Sequence, residues 1–188
     1  MKIAMFGGSF DPVHVGHLFV AEEVRISFGY DRVVFVPAFQ PPHKSDAPDA
    51  DAEHRLRMLE LAVNGRGDFP IETWEIDKKG VSYTIDTVRY LYESYPVDGR
   101  LGLIIGDDLV DGFQSWKGAA ELEDMVDIMV ATREGEPSAD FRHAAIDNSP
   151  LPVSSSGVRE RVRAGKAYRY LVPESVYGYI RTHALYTR

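Results

Sequence analysis

Short apolar runs alternate with helical periodicities along most of the chain. Lys2 to Phe6 (KIAMF) predicts a short buried strand, ended by the breaker Gly7-Gly8. From about Pro12 to Phe28, apolar residues recur at Val13, Leu18, Val20, Ala21, Val24 and Ile26, the spacing of a helix with one buried face. Arg32 to Val36 is a β-branched second strand closed by Pro37, and Asp51 to Val63 reads as a helix with Leu56, Leu59, Leu61 and Ala62 inward. Ile71 to Ile76 alternates like a strand, and Thr84 to Tyr95 predicts a helix stopped by Pro96. Leu101 to Ile105 and Val126 to Ala131 are further apolar strands, with a weak one near Ala144–Ile146. The chain then turns helical around Val158–Ala164 and Val176–Leu185.

Strands and helices alternating at this spacing predict an α/β fold: a doubly wound, mainly parallel sheet with helices on both faces. A small helical C-terminal segment follows, from about residue 154 to 188. There is no internal repeat or linker, so residues 1–188 read as a single domain. In such sheets the ligand sits beyond the carboxyl ends of the strands, where the strand order reverses. Functional residues are therefore expected directly after strands. Two loops stand out by composition: Ala38 to Ala50, proline-rich and expected to be a mobile surface loop, and Glu134 to Ser149.

Composition narrows the function. With 188 residues, 44% of them hydrophobic, the chain can bury a core. Its net charge of 21 − 29 = −8 argues against broad nucleic-acid binding, which needs a basic face. Anionic small molecules are still open to it, because local cations and helix ends hold phosphates whatever the total charge. There is no cysteine, which excludes disulfides, thiolate metal sites and a thiol nucleophile. MKIAMFGGSF is too short an apolar run for a signal peptide and no stretch approaches membrane-spanning length, so a cytoplasmic location is expected. Oligomeric state stays open, a homo-oligomer included.

Two motifs carry candidate chemistry. GGSFDPVHVGH, Gly7 to His17, follows the first strand and opens the first helix. Its glycines let a phosphate approach the backbone closely, and Asp11 with Pro12 is expected to cap and start the helix. His14 and His17, three apart, share a face near the positive helix end, with Gly16 clearing space between them. Two imidazoles plus backbone N–H groups suit a polyphosphate. The spacing is neither GxGxxG nor the Walker pattern. The second motif, Val153-Ser154-Ser155-Ser156-Gly157-Val158-Arg159, opens a C-terminal helix with hydroxyl donors and a fixed charge one turn in. Alone it is only a capped helix start; with the first motif it offers cations on a second side.

Together these segments resemble the (H/T)xGH and ISSTxxR signatures of the nucleotidylyltransferase superfamily, and more narrowly its bacterial nicotinate-nucleotide adenylyltransferases. Intermediate segments match in order: Pro42-His43-Lys44, Arg55 with Met58, Ser82-Tyr83-Thr84 with Asp86-Thr87, Ile105-Gly106 with Asp108, then Trp116 and the ending LVPESVYGYIRTHALY. The resemblance implies a Rossmann-like fold and the reaction of ATP with nicotinate mononucleotide, giving nicotinate adenine dinucleotide and pyrophosphate. By resemblance, His14, His17 and Arg159 are catalytic, and Gly7, Gly8, Ser9, Phe10, Lys44, Gly106, Asp108, Arg133 and Ser155 join them in binding ATP or the dinucleotide. Thr84, Trp116 and Lys117 would meet the nicotinate nucleotide, Thr84 and Lys117 through backbone N–H groups. Magnesium would arrive with ATP, held by phosphate and water, with no protein metal site.

Plain structural roles compete for several of these residues: Trp116 as core, Asp108 and Thr84 as helix caps, Lys44 as a solvated loop residue. The chain also departs from the family pattern, with Ser156 for the usual threonine and Arg133-Glu134-Gly135-Glu136 for arginine-proline-glycine-tyrosine. Three rival functions stand beside the main one. They are a sibling transferase using nicotinamide mononucleotide or phosphopantetheine, a non-catalytic nucleotide sensor, and a fragment of a class I aminoacyl-tRNA synthetase. The last lacks its KMSKS element here.

Overall fold

The computed structural model of the chain describes residues 1–40, 48–132, 140–146 and 151–187. Among these, five parallel strands form one sheet: β1 (Ile3–Gly8), β2 (Arg32–Pro37), β3 (Leu101–Gly106), β4 (Val126–Ala131) and β5 (Ala144–Ile146). Their spatial order is β2-β1-β3-β4-β5. The chain runs outward from β1 to β2, then crosses back to β3 on the other side of β1. That reversal puts the switch point between β1 and β3, whose carboxyl ends are Gly7-Gly8 and Gly106.

Among the described residues, seven α-helices flank the sheet: α1 (Val15–Ser27), α2 (Ala52–Val63), α3 (Trp74–Lys78), α4 (Thr84–Ser94), α5 (Ala119–Met125), α6 (Ser155–Arg163) and α7 (Glu174–Thr182). The twofold alternation of side chains in each strand feeds two cores. Ala4, Phe6, Phe35, Ile104 and Met129 pack with Val24 of α1, Leu59 of α2, Val158 of α6 and Ile180 of α7. Ile3, Met5, Val34, Leu103 and Ile128 pack on the other face with Val88 of α4 and Leu122 of α5. Burying each such side chain contributes about 1.5–3 kcal/mol, so strands apolar on both faces anchor the molecule and leave the strand ends for chemistry.

The structure departs from these expectations at several points. Ile71–Ile76 is not a strand: Ile71 makes one isolated bridge to Phe35, and the chain turns into α3. Thr73 brackets that turn, its Oγ1 donating to Asp77 at 2.7 Å and its carbonyl accepting from Asp77 N–H at 2.9 Å. Helix α5 was masked in the sequence by its brevity and by the acids of AAELEDM. The inward face of α2 is Arg55, Met58, Leu59 and Val63; of the predicted Leu56, Leu59, Leu61 and Ala62, Leu59 is buried and the other three are half-buried. The described ends of the loop after β2 are anchored, Ala38 and Ala50 being buried and Ala38 N–H bonding Gly8 O at 2.9 Å, while residues 41–47 of the expected mobile loop lie outside the described residues.

Candidate active site

Beyond Gly8 and Gly106 lies a cleft of about 840 Å³. Gly7, Gly8, Ser9, Phe10, His14 and His17 line one side, and Ser155 and Arg159 close it from the C-terminal segment. Gly106, Asp108, Thr84 and Trp116 line the rest. Twelve residues predicted from sequence thus share one cavity. Lys44 and Arg133 fall outside the described residues.

Local chemistry explains the histidine pair. The N-cap of α1 is His14, not Asp11, and helix begins at Val15. His14 N–H donates to His17 Nδ1 at 3.2 Å, and His17 N–H donates to His14 Nδ1 at 3.3 Å, a reciprocal capping box made of imidazoles. The two rings stack with centroids 3.6 Å apart. Because each Nδ1 accepts, the neutral rings must carry their protons on Nε2, which makes both Nε2 atoms donors. Phe10 sets edge-on against His17 at 5.1 Å and holds a left-handed backbone (φ 47), a strained conformation for a non-glycine residue. Gly8 accommodates that ring, since a Cβ there would lie 3.2 Å from Phe10 Cζ. At Gly16 a Cβ would lie 2.9 Å from Val153, so glycine admits the C-terminal segment to the histidine face.

Helix α6 supplies the opposite wall. Ser154 is its N-cap, accepting from Gly157 N–H at 3.1 Å, which frees Ser155 to donate to Pro12 O at 2.9 Å. Arg159 Nη1 donates to Asp11 O at 2.7 Å, and its Nε lies 2.6 Å from the Asp49 carboxylate, close in distance but not aligned as a hydrogen bond. Neither α1 nor α6 has an acid in its first turn, and both helix starts line the cleft.

Three residues brace this end, in roles that local pattern does not specify. Asp11 is buried and accepts from Asp49 N–H (2.8 Å), Ala50 N–H (3.2 Å) and Tyr186 Oη (2.7 Å). Burial and the adjoining Asp11 carboxylate both push the Tyr186 phenol far up, keeping it a donor. Arg55, 1% exposed, donates to four carbonyls: Ser9 and Ala38 at 2.7 Å, Phe39 at 3.0 Å and Ala50 at 3.1 Å. Burial lowers its pKa while Asp11 opposes that shift. The available signal was an arginine in register with Met58 and Leu59 on an apolar helix face.

The other end is sparser. Trp116 is 9% exposed, packs 5.2 Å from Phe113 and lines the cleft, so it belongs to core and cavity at once. Asp108 is exposed, and the cap-like bond is made by Asp107, whose Oδ1 accepts from Asp108 N–H at 2.9 Å. A Cβ on Gly106 would come within 2.5 Å of Asp108 Oδ1, so that glycine lets the carboxylate fold over the end of β3. The Lys117 side chain does not turn inward: its ammonium pairs with Asp86 at 3.0 Å and sits 4.6 Å over the Tyr83 ring. Among the described residues, no three His, Asp or Glu side chains cluster to hold a metal, and no helix is long and apolar enough to cross a membrane.

Comparison with known proteins agrees with this geometry. Residues 5–161 match the cytidylyltransferase-like family. A Salinibacter ruber protein named probable nicotinate-nucleotide adenylyltransferase is 42% identical, covering 99% of this chain and 98% of its own length. A Borrelia garinii subsp. bavariensis protein of the same name is 37% identical, covering 100% and 96%. In fold, the chain is similar to Plasmodium falciparum nicotinic acid mononucleotide adenylyltransferase complexed with NaAD, with a TM-score of 0.79, 21% identity, and coverage of 98% and 97%. With paired imidazoles and a C-terminal arginine meeting in a switch-point cleft, the chain belongs to the cytidylyltransferase-like family and, within it, to the nicotinate-nucleotide adenylyltransferases.

Proposed function

We propose that the chain transfers the AMP group of ATP to nicotinate mononucleotide, forming nicotinate adenine dinucleotide and pyrophosphate. An oxygen of the acceptor's phosphate attacks the α-phosphorus in line, and the bond from that phosphorus to the bridging oxygen of the β-phosphate breaks. No covalent enzyme intermediate is needed. Catalysis rests on positioning two anions that repel each other and on neutralising charge gathered on the leaving pyrophosphate.

In this reading His14 and His17 give Nε2–H to ATP phosphates, with His17 strengthening its bond as pyrophosphate departs. Ser155, Arg159 and the start of α6 hold the β- and γ-phosphates. The backbone of Gly7, Gly8, Ser9 and Phe10 lies along the dinucleotide, and Gly106 leaves Asp108 over the ribose hydroxyls. Lys44 and Arg133 add cations to the ATP side. Thr84 and Lys117 offer backbone N–H groups to the nicotinate carboxylate, and Trp116 stacks on the pyridine ring. Magnesium would enter with ATP, bound by phosphate oxygens and water, with Ser155 and Arg159 meeting the same phosphates. Residues 1–188 act as one catalytic domain, in the cytoplasm, without nucleic acid or membrane partners.

The observation that carries this reading is the meeting of His14, His17 and Arg159 on one cleft. Mixing the protein with ATP, magnesium and nicotinate mononucleotide should release pyrophosphate, with kcat/KM well above that for nicotinamide mononucleotide. A site of donors accepts a carboxylate but would face the amide's NH2. Nucleotide binding without pyrophosphate release would mark a sensor instead, and equal kcat/KM for the two acceptors would end the claim of specificity.

A further inference from the structure

Ser82 is 3% exposed, lines the cleft, and its Oγ has no hydrogen-bond partner among the described residues. A hydroxyl buried unpaired bears its full desolvation penalty, and such atoms are rare in native proteins. Neighbouring polar groups are already engaged. Glu75, buried on the same cleft wall, accepts from Thr87 Oγ1 at 2.6 Å, and burial raises its pKa. Asp86 is paired with Lys117 at 3.0 Å and Arg89 at 3.6 Å. The other unbonded buried atom, Arg159 Nε, has the Asp49 carboxylate 2.6 Å away.

Two residues beyond Ser82, α4 begins at Thr84, which also lines the cleft. Its N-cap position is Tyr83, which makes no side-chain capping bond. The earliest N–H groups returning to Tyr83 O are those of Asp86 and Thr87, so in this 11-residue helix the N–H groups of Thr84 and Ile85 are the ones open to an outside acceptor. A desolvated hydroxyl and an uncapped helix start are all donors, and Trp116 provides a flat apolar face in the same cleft.

We infer that Ser82 determines acceptor specificity: its hydroxyl, beside the uncapped start of α4, donates to a carboxylate carried on a flat ring held against Trp116. This rests on the reading above and adds a side-chain donor to it. With the ligand absent, Ser82 lowers stability; with the ligand bound, its bond is made. Those opposed effects separate a ligand contact from a packing role.

Steady-state kinetics and melting of the full chain carrying Ser82→Ala test this. The KM for nicotinate mononucleotide should rise about tenfold, the value of one charge-assisted hydrogen bond. KM for ATP should stay within about twofold, and Tm should be unchanged or higher because an unpaired buried group is gone. Ser82→Thr, which keeps the hydroxyl, should retain most of the affinity. With nicotinamide mononucleotide the alanine variant should lose distinctly less than with the carboxylate. An acceptor KM within twofold of the parent, or an equal rise in both KM values, would overturn the inference while leaving the transferase reading intact. A parent protein inactive with nicotinate mononucleotide would instead defeat that reading.

Discussion

The two ends of the cleft are built differently. At the end proposed for the phosphates, bonds join residues far apart in the chain: Ser155 to Pro12, Arg159 to Asp11 and Tyr186 to Asp11, the last across 175 positions. Arg55 adds four carbonyls from three segments. At the acceptor end the bonds are shorter-ranged, Thr87 to Glu75 and Lys117 to Asp86, and Ser82 is left unsatisfied. The contrast matches two tasks. Stabilising charge on a leaving pyrophosphate requires donors fixed before the reaction, since any reorganisation would consume the gain. Discriminating between acceptors works best with donors that are complete only when the right ligand binds.

Substitutions at each end should therefore fail in different ways. The largest effect is expected for His17→Ala, which removes an Nε2–H that in the proposed function matters most as pyrophosphate leaves. Its kcat should fall about 100- to 1000-fold, with both KM values changed far less. A defect confined to KM, seen in a full kinetic comparison, would mean that the phosphate end merely binds. Trp116→Ala should come next, raising the acceptor KM roughly tenfold while the ATP KM holds, through lost stacking and burial. The reverse pattern would erase the division between the ends.

The smallest effect concerns Glu75. Burial raises its folded pKa above that of the unfolded chain, so the native state holds this proton to higher pH. Stability is then fully present below the ordinary glutamate range, about 4.3, and declines as pH climbs from there to the folded value. Glu75→Gln keeps an oxygen for Thr87 and removes that decline. Its Tm should exceed the parent's near pH 8 and converge with it near pH 4, as thermal melts across pH would reveal. A constant offset would assign the effect to packing.

Much of this was legible from local pattern. The strands around Lys2–Phe6, Arg32–Val36, Leu101–Ile105 and Val126–Ala131 were visible because uninterrupted β-branched and aliphatic runs have few other uses. The histidine and serine motifs were visible because turn, cap and helix start follow one another in sequence. Helix α3 was misread because its turn is set by Thr73 and Asp77, polar residues that hydrophobic alternation ignores. Asp11 was expected as a cap because its position before a proline suited one; its carboxylate turned instead to Asp49, Ala50 and Tyr186.

The amino-acid order by itself determined the strand and helix segments whose alternation implies a parallel sheet, the glycine turn after β1 and the pair of imidazoles three apart, since each of these depends on neighbours within a few residues. Only the tertiary structure decided that Gly16 makes room for Val153, that Arg55 gathers the strand-end loops, and that Ser82 stands unpaired in the cleft wall. Capping and periodicity act over one or two turns of chain. Which distant groups meet, and which go without a partner, depends on how the two cores pack around the switch point.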